Sequence, residues 1–299
     1  ALGGGSGRTS ALLAGCCQHC SMNVAWLILG LLLSAGMALL GYWRQALSAS
    51  GAAGAILVGT LIFGLGGWEW GLLLITFFVS SSWLSHYRKA DKGQVAEKFA
   101  KSSRRDFGQA LANGGLGAIL AVVFVRYPDP LLFAAFVGVM ATVNADTWAT
   151  ELGILSRVPP RLITTGDEVV PGTSGGVTSL GTWASVAGAM LIGTVATALV
   201  QAGSLLSANG WSLRASSYTL LAVVGGLAGS LFDSLLGATL QGIYYCDHCA
   251  KETESPTHHC GRTAQPLRGW GWLNNDLVNF LASLVGGLAA ASLAWILWR

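Results

Sequence analysis

The sequence predicts an all-α polytopic integral membrane protein, a bundle of about eight glycine-rich transmembrane helices, on three observations. Of its 299 residues, 53% are hydrophobic and only 10% charged, with a mean hydropathy of +0.57, whereas about a quarter of a soluble domain is charged. The apolar residues fall in blocks of about 16 to 24, each long enough at 1.5 Å per residue to cross a hydrocarbon core of about 30 Å. Forty-one glycines supply the small residues that let membrane helices approach closely where no hydrophobic effect drives association. A net charge of +3, without a basic stripe interleaved with aromatics, excludes nucleic acid as an expected partner. The six cysteines sit in two tight local clusters and read as reduced or metal-linked.

Residues 1–21 lack an initial methionine, precede a candidate initiator at Met22, and are rich in Gly, Ser and Ala. They are expected to be disordered or foreign to the natural mature protein. The group Cys16, Cys17, His19 and Cys20 within them reads as incidental. Residues 22–299 form a single polytopic domain, with spans expected near 23–43, 51–67, 69–85, 109–126, 130–150, 178–200, 217–241 and 276–298. Only Gly66, Gly67 and Trp68 separate the second span from the third, which predicts a tight helical hairpin or one re-entrant unit.

These spans place Arg44, the seven cations from Arg88 to Arg105, Arg157, Arg161, Lys251, Arg262 and Arg268 on one face, thirteen of the seventeen Lys and Arg. That face is cytoplasmic or its topological equivalent. Tyr42, Trp43, Trp83, Trp272 and Trp298 near span ends fit interfacial belts.

Polar side chains collect on the basic face. Arg105, Gln109, Asn113 and Gly117 recur every four residues, one stripe on the fourth span that must face protein or water. The fifth span ends in Asn144, Asp146, Thr147, Thr150 and Glu151. At 100° per residue Asp146 and Glu151 are about 140° apart, so both serve one site only if the helix ends or bends there, as Gly153 permits. The turn Thr173-Ser174-Gly175-Gly176 opens the sixth span, where converging N–H groups and a helix N-terminus would suit phosphate. No GxxxxGK[ST] occurs, which excludes a Walker A loop. In the seventh span Gly225, Gly229, Asp233, Gly237 and Gln241 share one small-residue face, with a carboxylate that must be buried against protein. The loop 242–275 holds Cys246-x-x-Cys249, His258 and Cys260, a candidate zinc set with a compressed second half. Asn275, Asp276 and Asn279 open the eighth span.

The stretches NADTWATELG, PRLITT, PGTSGGVTSLG, GSLFDSLLGATLQ and WLNNDLVNF resemble the transmembrane protein 19 family, also called domain of unknown function 92, which includes phytyl-phosphate kinases of the vitamin E pathway. The likeness runs in order from about Ser85 to the C-terminus. It is closer to the transmembrane protein 19 branch around GSLFDSLLGATLQ and to the kinase branch at WLNNDLVN, and the Cys/His loop departs from both. The resemblance implies a CTP-dependent kinase acting on an isoprenyl monophosphate. The residues suit that chemistry, because a lipid phosphate oxygen is already ionised and needs no strong base. Asp146, Asp233 and Asp276, with Glu151, are expected to hold Mg²⁺ or its waters. Arg105 and Arg161 would bind phosphates, with the Thr173–Gly176 backbone, and Gln109, Asn113, Asn275 and Asn279 would orient them. Expected partners are a nucleoside triphosphate, a prenyl-phosphate lipid and membrane lipids, with a homodimer left open. A transporter and a non-catalytic membrane scaffold with a zinc-stapled loop are the alternatives. The sequence does not choose between the endoplasmic reticulum and the chloroplast envelope.

Overall fold

The structure, a computed structural model, describes residues 24–87, 104–208, 210–258 and 260–299. The group Cys16 to Cys20 and most of the basic loop after the third span lie outside the described residues.

Among the described residues eight helices follow the eight apolar blocks: α1 (Val24–Trp43), α2 (Ala49–Gly66), α3 (Trp68–His86), α4 (Phe107–Arg126), α5 (Pro130–Gly153), α6 (Ser179–Leu206), α7 (Leu213–Thr239) and α8 (Asn275–Leu297). Their starts carry local signals. Ser48, Asp129, Thr178, Ser212 and Asn274 each accept a backbone N–H of the first turn at the N-cap of α2, α5, α6, α7 and α8, satisfying donors that have no intrahelical partner. Asp106 and Gln109 form a reciprocal capping box at α4. A single residue, Gly67 at φ +93°, turns α2 into α3, so the short linker is a tight hairpin.

Seven of these helices are long and apolar enough to cross a membrane. The other is α3, whose apolar run carries Glu69 and closes on Ser80, Ser81, Ser82 and Ser85. Three of those serines turn inward to polar partners. Ser80 and Ser81 donate to Asn144 Oδ1 at 2.9 and 3.3 Å, and Ser85 donates to Glu151 at 2.6 Å.

The centre of the bundle is α5, which packs against α3, α4, α6, α7 and α8. From Phe136 to Ala145 it is buried without interruption, as a helix surrounded by other helices must be. Close approach around it is made by missing side chains. A Cβ on Gly225 would lie 2.6 Å from the Gly286 carbonyl and 3.1 Å from Gly138 Cα, and one on Gly286 would strike Thr142 Oγ1. Thr142 Oγ1 uses this proximity to donate to Gly138 O at 2.9 Å and Gly225 O at 3.2 Å. Gly286→Val is therefore expected to force α5, α7 and α8 apart, costing about 3 kcal/mol or more; thermal melting in detergent and the yield of monodisperse protein measure it.

At the end where α3 begins and α4 finishes, Trp70 packs against Phe124, Phe133 and Phe136 with ring centroids 5.2, 5.6 and 4.3 Å apart. Large apolar side chains such as Leu32, Trp183 and Leu288 point outward, where lipid replaces water as their neighbour.

The fold departs from all-helix on the basic face. Strands β1 (Arg161–Leu162) and β2 (Gly176–Val177) pair between α5 and α6, and β3 (Ile243–Cys246), β4 (Lys251–Thr253) and β5 (Gln265–Arg268) form an antiparallel sheet of order β4-β3-β5 between α7 and α8. What the sequence presents as a polar loop is thus a small β module.

Candidate active site on the basic face of the bundle

The N-terminal ends of α4, α6 and α8 and the C-terminal ends of α5 and α7 surround a cavity of about 710 Å³. Three helix N-termini bring partial positive charge to it, which favours an anion. Arg105, Gln109 and Asn113 line it from α4 and the residue preceding its cap, Asp146 and Glu151 from α5, Thr173 to Gly176 from the glycine turn, Asp233 from α7, and Asn275, Asp276 and Asn279 from α8.

Arg105 is held by backbone on both sides, since its N–H donates to Ala46 O and its carbonyl accepts from Ser48 N, each at 3.0 Å. Its guanidinium lies 5.2 Å from the Phe77 ring centroid and 5.8 Å from that of Phe78. Burial pulls the guanidinium down to about 10, while Glu151 acts in the opposite sense, so it stays a cation at neutral pH. Arg105 Nη1 is buried with no hydrogen-bond partner among the described residues. So is Asp233 Oδ2, and so is Ser185 Oγ in the same cavity wall. Unpartnered buried polar atoms cost about 1–3 kcal/mol each, so a cavity that keeps a donor and an acceptor in this state is built for something else to pair with them.

The acids divide into two groups. Asp146, Asp233 and Glu254 act electrostatically on one another. Glu151 instead faces Arg105 and accepts from Ser85. α5 stays helical through Gly153, and both of its carboxylates line the cavity at that helix end.

Sequence reasoning missed Glu254. This residue follows β4, and its Oε1 accepts from Gln241 Nε2 at 3.0 Å and Ser174 Oγ at 2.8 Å. Gln241 continues the four-residue stripe of Gly229, Asp233 and Gly237, and that stripe was the available signal that something polar meets the end of α7. Arg268 was missed as a structural residue. Its Nη1 donates to the carbonyls of Gly237 and Ala238 at 2.9 and 2.7 Å and its Nη2 to Ser174 O at 3.2 Å, capping the end of α7 and fastening the glycine turn to it.

Two expected roles change with the geometry. Arg161 is not among the cavity residues; its guanidinium donates to Glu168 Oε1 and Gly166 O, both at 2.9 Å, in an exposed ion pair. The β1–β2 pairing turns it outward. The glycine turn lines the cavity, but Gly176 N donates to Thr173 O and Thr173 N to Val170 O, so these two N–H groups already have partners. Gly175, at φ +85°, exists for contact, because a Cβ there would lie 2.5 Å from Ala238 N. Gly175→Val is expected to dislodge the turn from the end of α7 and lower the melting temperature in detergent, measured by thermal unfolding.

Asn144 is structural. It is fully buried and ties three helices together, receiving the Ser80 and Ser81 hydroxyls and donating to Gly188 O at 2.8 Å.

Beside the polar cavity lies an apolar one of about 90 Å³ among α1 to α4, lined by Leu33, Met37, Val58, Leu74 and Phe78 among others. Arg105, Gln109 and Asn113 line both.

Fold and site together define an integral multi-pass membrane protein with a polar cavity at one end of its helix bundle. The chain belongs to the family described as integral membrane protein DUF92, whose profile matches residues 32–287. It is similar to Protein PGR of Arabidopsis thaliana, 34% identical over 274 residues that cover 87% of this chain and 93% of that protein. An uncharacterized membrane protein of Methanocaldococcus jannaschii is 29% identical over 262 residues, 88% of this chain and 92% of its own. Protein VTE6, chloroplastic, of Arabidopsis thaliana is 26% identical over 251 residues, covering 82% of this chain and 64% of that protein. No solved structure matches.

Proposed function

We propose that this protein is a membrane-embedded kinase that transfers the terminal phosphoryl group of a nucleoside triphosphate, CTP in first place, to an isoprenyl monophosphate such as phytyl phosphate. The observation that carries the reading is the pair of unpartnered groups in one buried cavity, a cationic donor at Arg105 and an anionic acceptor at Asp233. A phosphate with its counter-cation satisfies both. Similarity to the phytyl-phosphate kinases of the family agrees with it.

Mg²⁺ fits the acidic half. Asp146, Asp233 and Glu254 offer oxygen donors only, the type Mg²⁺ prefers, and carboxylates gathered away from bulk water require a compensating positive charge. Asp276 and Glu151 line the same cavity and would hold metal-bound water. The ion would neutralise the phosphate oxygens and polarise the transferring group. The chain's own residues do the rest. Arg105 holds a phosphate of the lipid or the nucleotide, while Gln109, Asn113, Asn275 and Asn279 present amides that orient its oxygens. An oxygen of the lipid phosphate attacks the terminal phosphorus as the bond to the bridging oxygen breaks, and the nucleoside diphosphate leaves. No proton has to be removed from the nucleophile, so a site without histidine suits the reaction, and positioning supplies the rate.

The lipid fits the two-cavity arrangement, with its phosphate in the polar cavity and the first isoprene units in the apolar one across Arg105, Gln109 and Asn113. Leu74→Trp, which fills the apolar cavity, is expected to lower kcat/KM for phytyl and geranylgeranyl phosphates about tenfold or more and to spare a short prenyl phosphate; steady-state kinetics across chain lengths test this. The position of the cavity at one end of the bundle, with aromatic packing at the other, weighs against transport.

The deciding experiment incubates purified protein in liposomes with phytyl, geranylgeranyl and farnesyl monophosphates and labelled CTP, ATP, GTP or UTP, with Mg²⁺ or with EDTA. Prenyl diphosphate that forms with Mg²⁺, fastest from CTP, and disappears with EDTA is the expected result. Absence of transfer from every nucleotide to every lipid, by protein that melts cooperatively, overturns the reading.

A further inference from the structure

The β module next to the cavity contains a second, separate constellation. Cys246 ends β3, and the turn through Cys249 returns to β4 by way of Ala250 at φ +50°, a left-handed position where a residue with a Cβ is held only by its surroundings. Opposite it, a narrow hairpin closes on itself: Ala264 N donates to Pro256 O at 2.8 Å, His258 N to Arg262 O at 2.9 Å, and Gly261, at φ +81°, donates to His258 O at 2.9 Å. These two turns bring together Cys246, Cys249, His258 and Cys260, and one ligand atom from each lies within 4.8 Å of all the others.

The spacing is that of a coordination shell. A tetrahedral Zn²⁺ with Zn–S bonds of about 2.3 Å sets its sulfurs about 3.8 Å apart. Cys246 Sγ and Cys260 Sγ are 3.8 Å apart, and His258 Nδ1 is 3.2 Å from Cys260 Sγ. A disulfide requires sulfurs at about 2.05 Å, and these cysteines are free. Cys246 and His258 are buried, as the inner ligands of a closed site would be.

We infer that Cys246, Cys249, His258 and Cys260 bind one structural Zn²⁺ that locks the β3–β4–β5 module and thereby holds Glu254 in the cavity. Four protein ligands leave no open position for a reacting molecule, which makes the ion structural. Three thiolates with one imidazole in a tetrahedron select Zn²⁺ over the oxygen-seeking Mg²⁺ of the neighbouring cavity. The module has reason to need it. Its strands are only three or four residues long and carry few buried apolar side chains, and short segments without a core of their own are commonly folded by a metal. Glu254 lies one residue past β4, between the two ligand-bearing turns, so loss of the ion frees the carboxylate that Gln241 and Ser174 hold. Only this positional consequence rests on the kinase reading; the metal site does not.

The test is metal analysis of the full chain purified in detergent without chelators or metal-affinity steps. One zinc per chain is expected, with exchange to Co²⁺ giving the intense visible bands of a tetrahedral thiolate site. Cys246→Ser with Cys260→Ser is expected to lose the zinc and the bands, while His248→Ala, in the same turn but outside the set, keeps both. Stripping zinc from the unaltered protein should open residues 247–263 to protease and leave the helices resistant, a result that needs no variant to fold. A chain with no zinc and no tetrahedral Co²⁺ spectrum, full zinc retained by the double variant, or a disulfide found between these cysteines by mass spectrometry overturns the inference. Zinc content is read independently of turnover, so an inactive but zinc-loaded protein would sink the kinase proposal and leave this one standing.

Discussion

Asp233→Asn is expected to lower phosphoryl transfer about a thousandfold or more, with the protein still inserted and folded. On the proposed reading, removing one charged oxygen from the group that would hold Mg²⁺ and phosphate takes away several kcal/mol of stabilisation of the developing charge, and each 1.36 kcal/mol is a factor of ten in rate. The stability change separates this from a structural role. Asp233 Oδ2 has no hydrogen-bond partner among the described residues and shares its surroundings with Asp146 and Glu254, so the native carboxylate contributes repulsion and desolvation to the fold rather than a bond. The asparagine variant should melt at the same temperature as the native protein or higher, as replacing an unpaired buried charge commonly does. Turnover assays with melting curves, with and without Mg²⁺, check both halves. Native turnover in the variant would remove Asp233 from the site, and a large drop in melting temperature would make it a structural residue.

Arg105→Gln is the second change with a large expected effect, about a hundredfold to a thousandfold on kcat/KM, the scale for losing one preorganised group facing developing charge. Arg105→Lys should recover part of the loss, because a point charge replaces a planar fork. The pH behaviour follows from its environment. Burial lowers the guanidinium from its ordinary value to about 10, with Glu151 opposing, so the folded protein holds the proton less tightly than the unfolded chain does. The charged group therefore opposes folding below pH 10, and this cost is relieved as pH rises above 10 toward the guanidinium's ordinary value. Arg105→Gln should accordingly leave melting at neutral pH unchanged or raised. Native activity should lose its phosphate affinity as pH climbs through about 10, seen as a rise in KM, and the glutamine variant should lack that rise. A pH–KM profile identical in both proteins would exclude Arg105 from phosphate binding.

Much of the site was legible because it lies on helices. A four-residue recurrence states which face of a helix a side chain occupies, and burial of a carboxylate within an apolar span states that the face meets protein. Arg105, Gln109, Asn113 and Asp233 stand on such recurrences and Asn275 and Asn279 share a face, while Asp146 and Asp276 were named as carboxylates at span ends; all of these line one cavity. Residues between helices carry no such phase. Arg161 looked like a phosphate ligand by proximity in the chain, yet β1–β2 pairing turns it to Glu168. The Thr173–Gly176 turn, expected from the sequence to suit phosphate, lines the cavity, and there Gly175 is small so that the turn can rest on Ala238. Glu254 sits in the most polar stretch of the chain, and nothing in its local sequence distinguishes it from Glu252 two residues earlier. It enters the cavity because the β module folds back across the end of α7.

The sequence by itself determined the membrane class, the helices and the face on which the polar groups gather. These follow from local hydrophobicity, helical period and the count of Lys and Arg, which act over a few turns of chain or one crossing of the bilayer. The tertiary structure alone decided which acids share a cavity and which arginine faces it. Those are contacts between segments tens of residues apart, such as Ser80 with Asn144 or Ser174 with Glu254. Their geometry depends on how helices cross and where strands pair, and no window of local sequence contains that information.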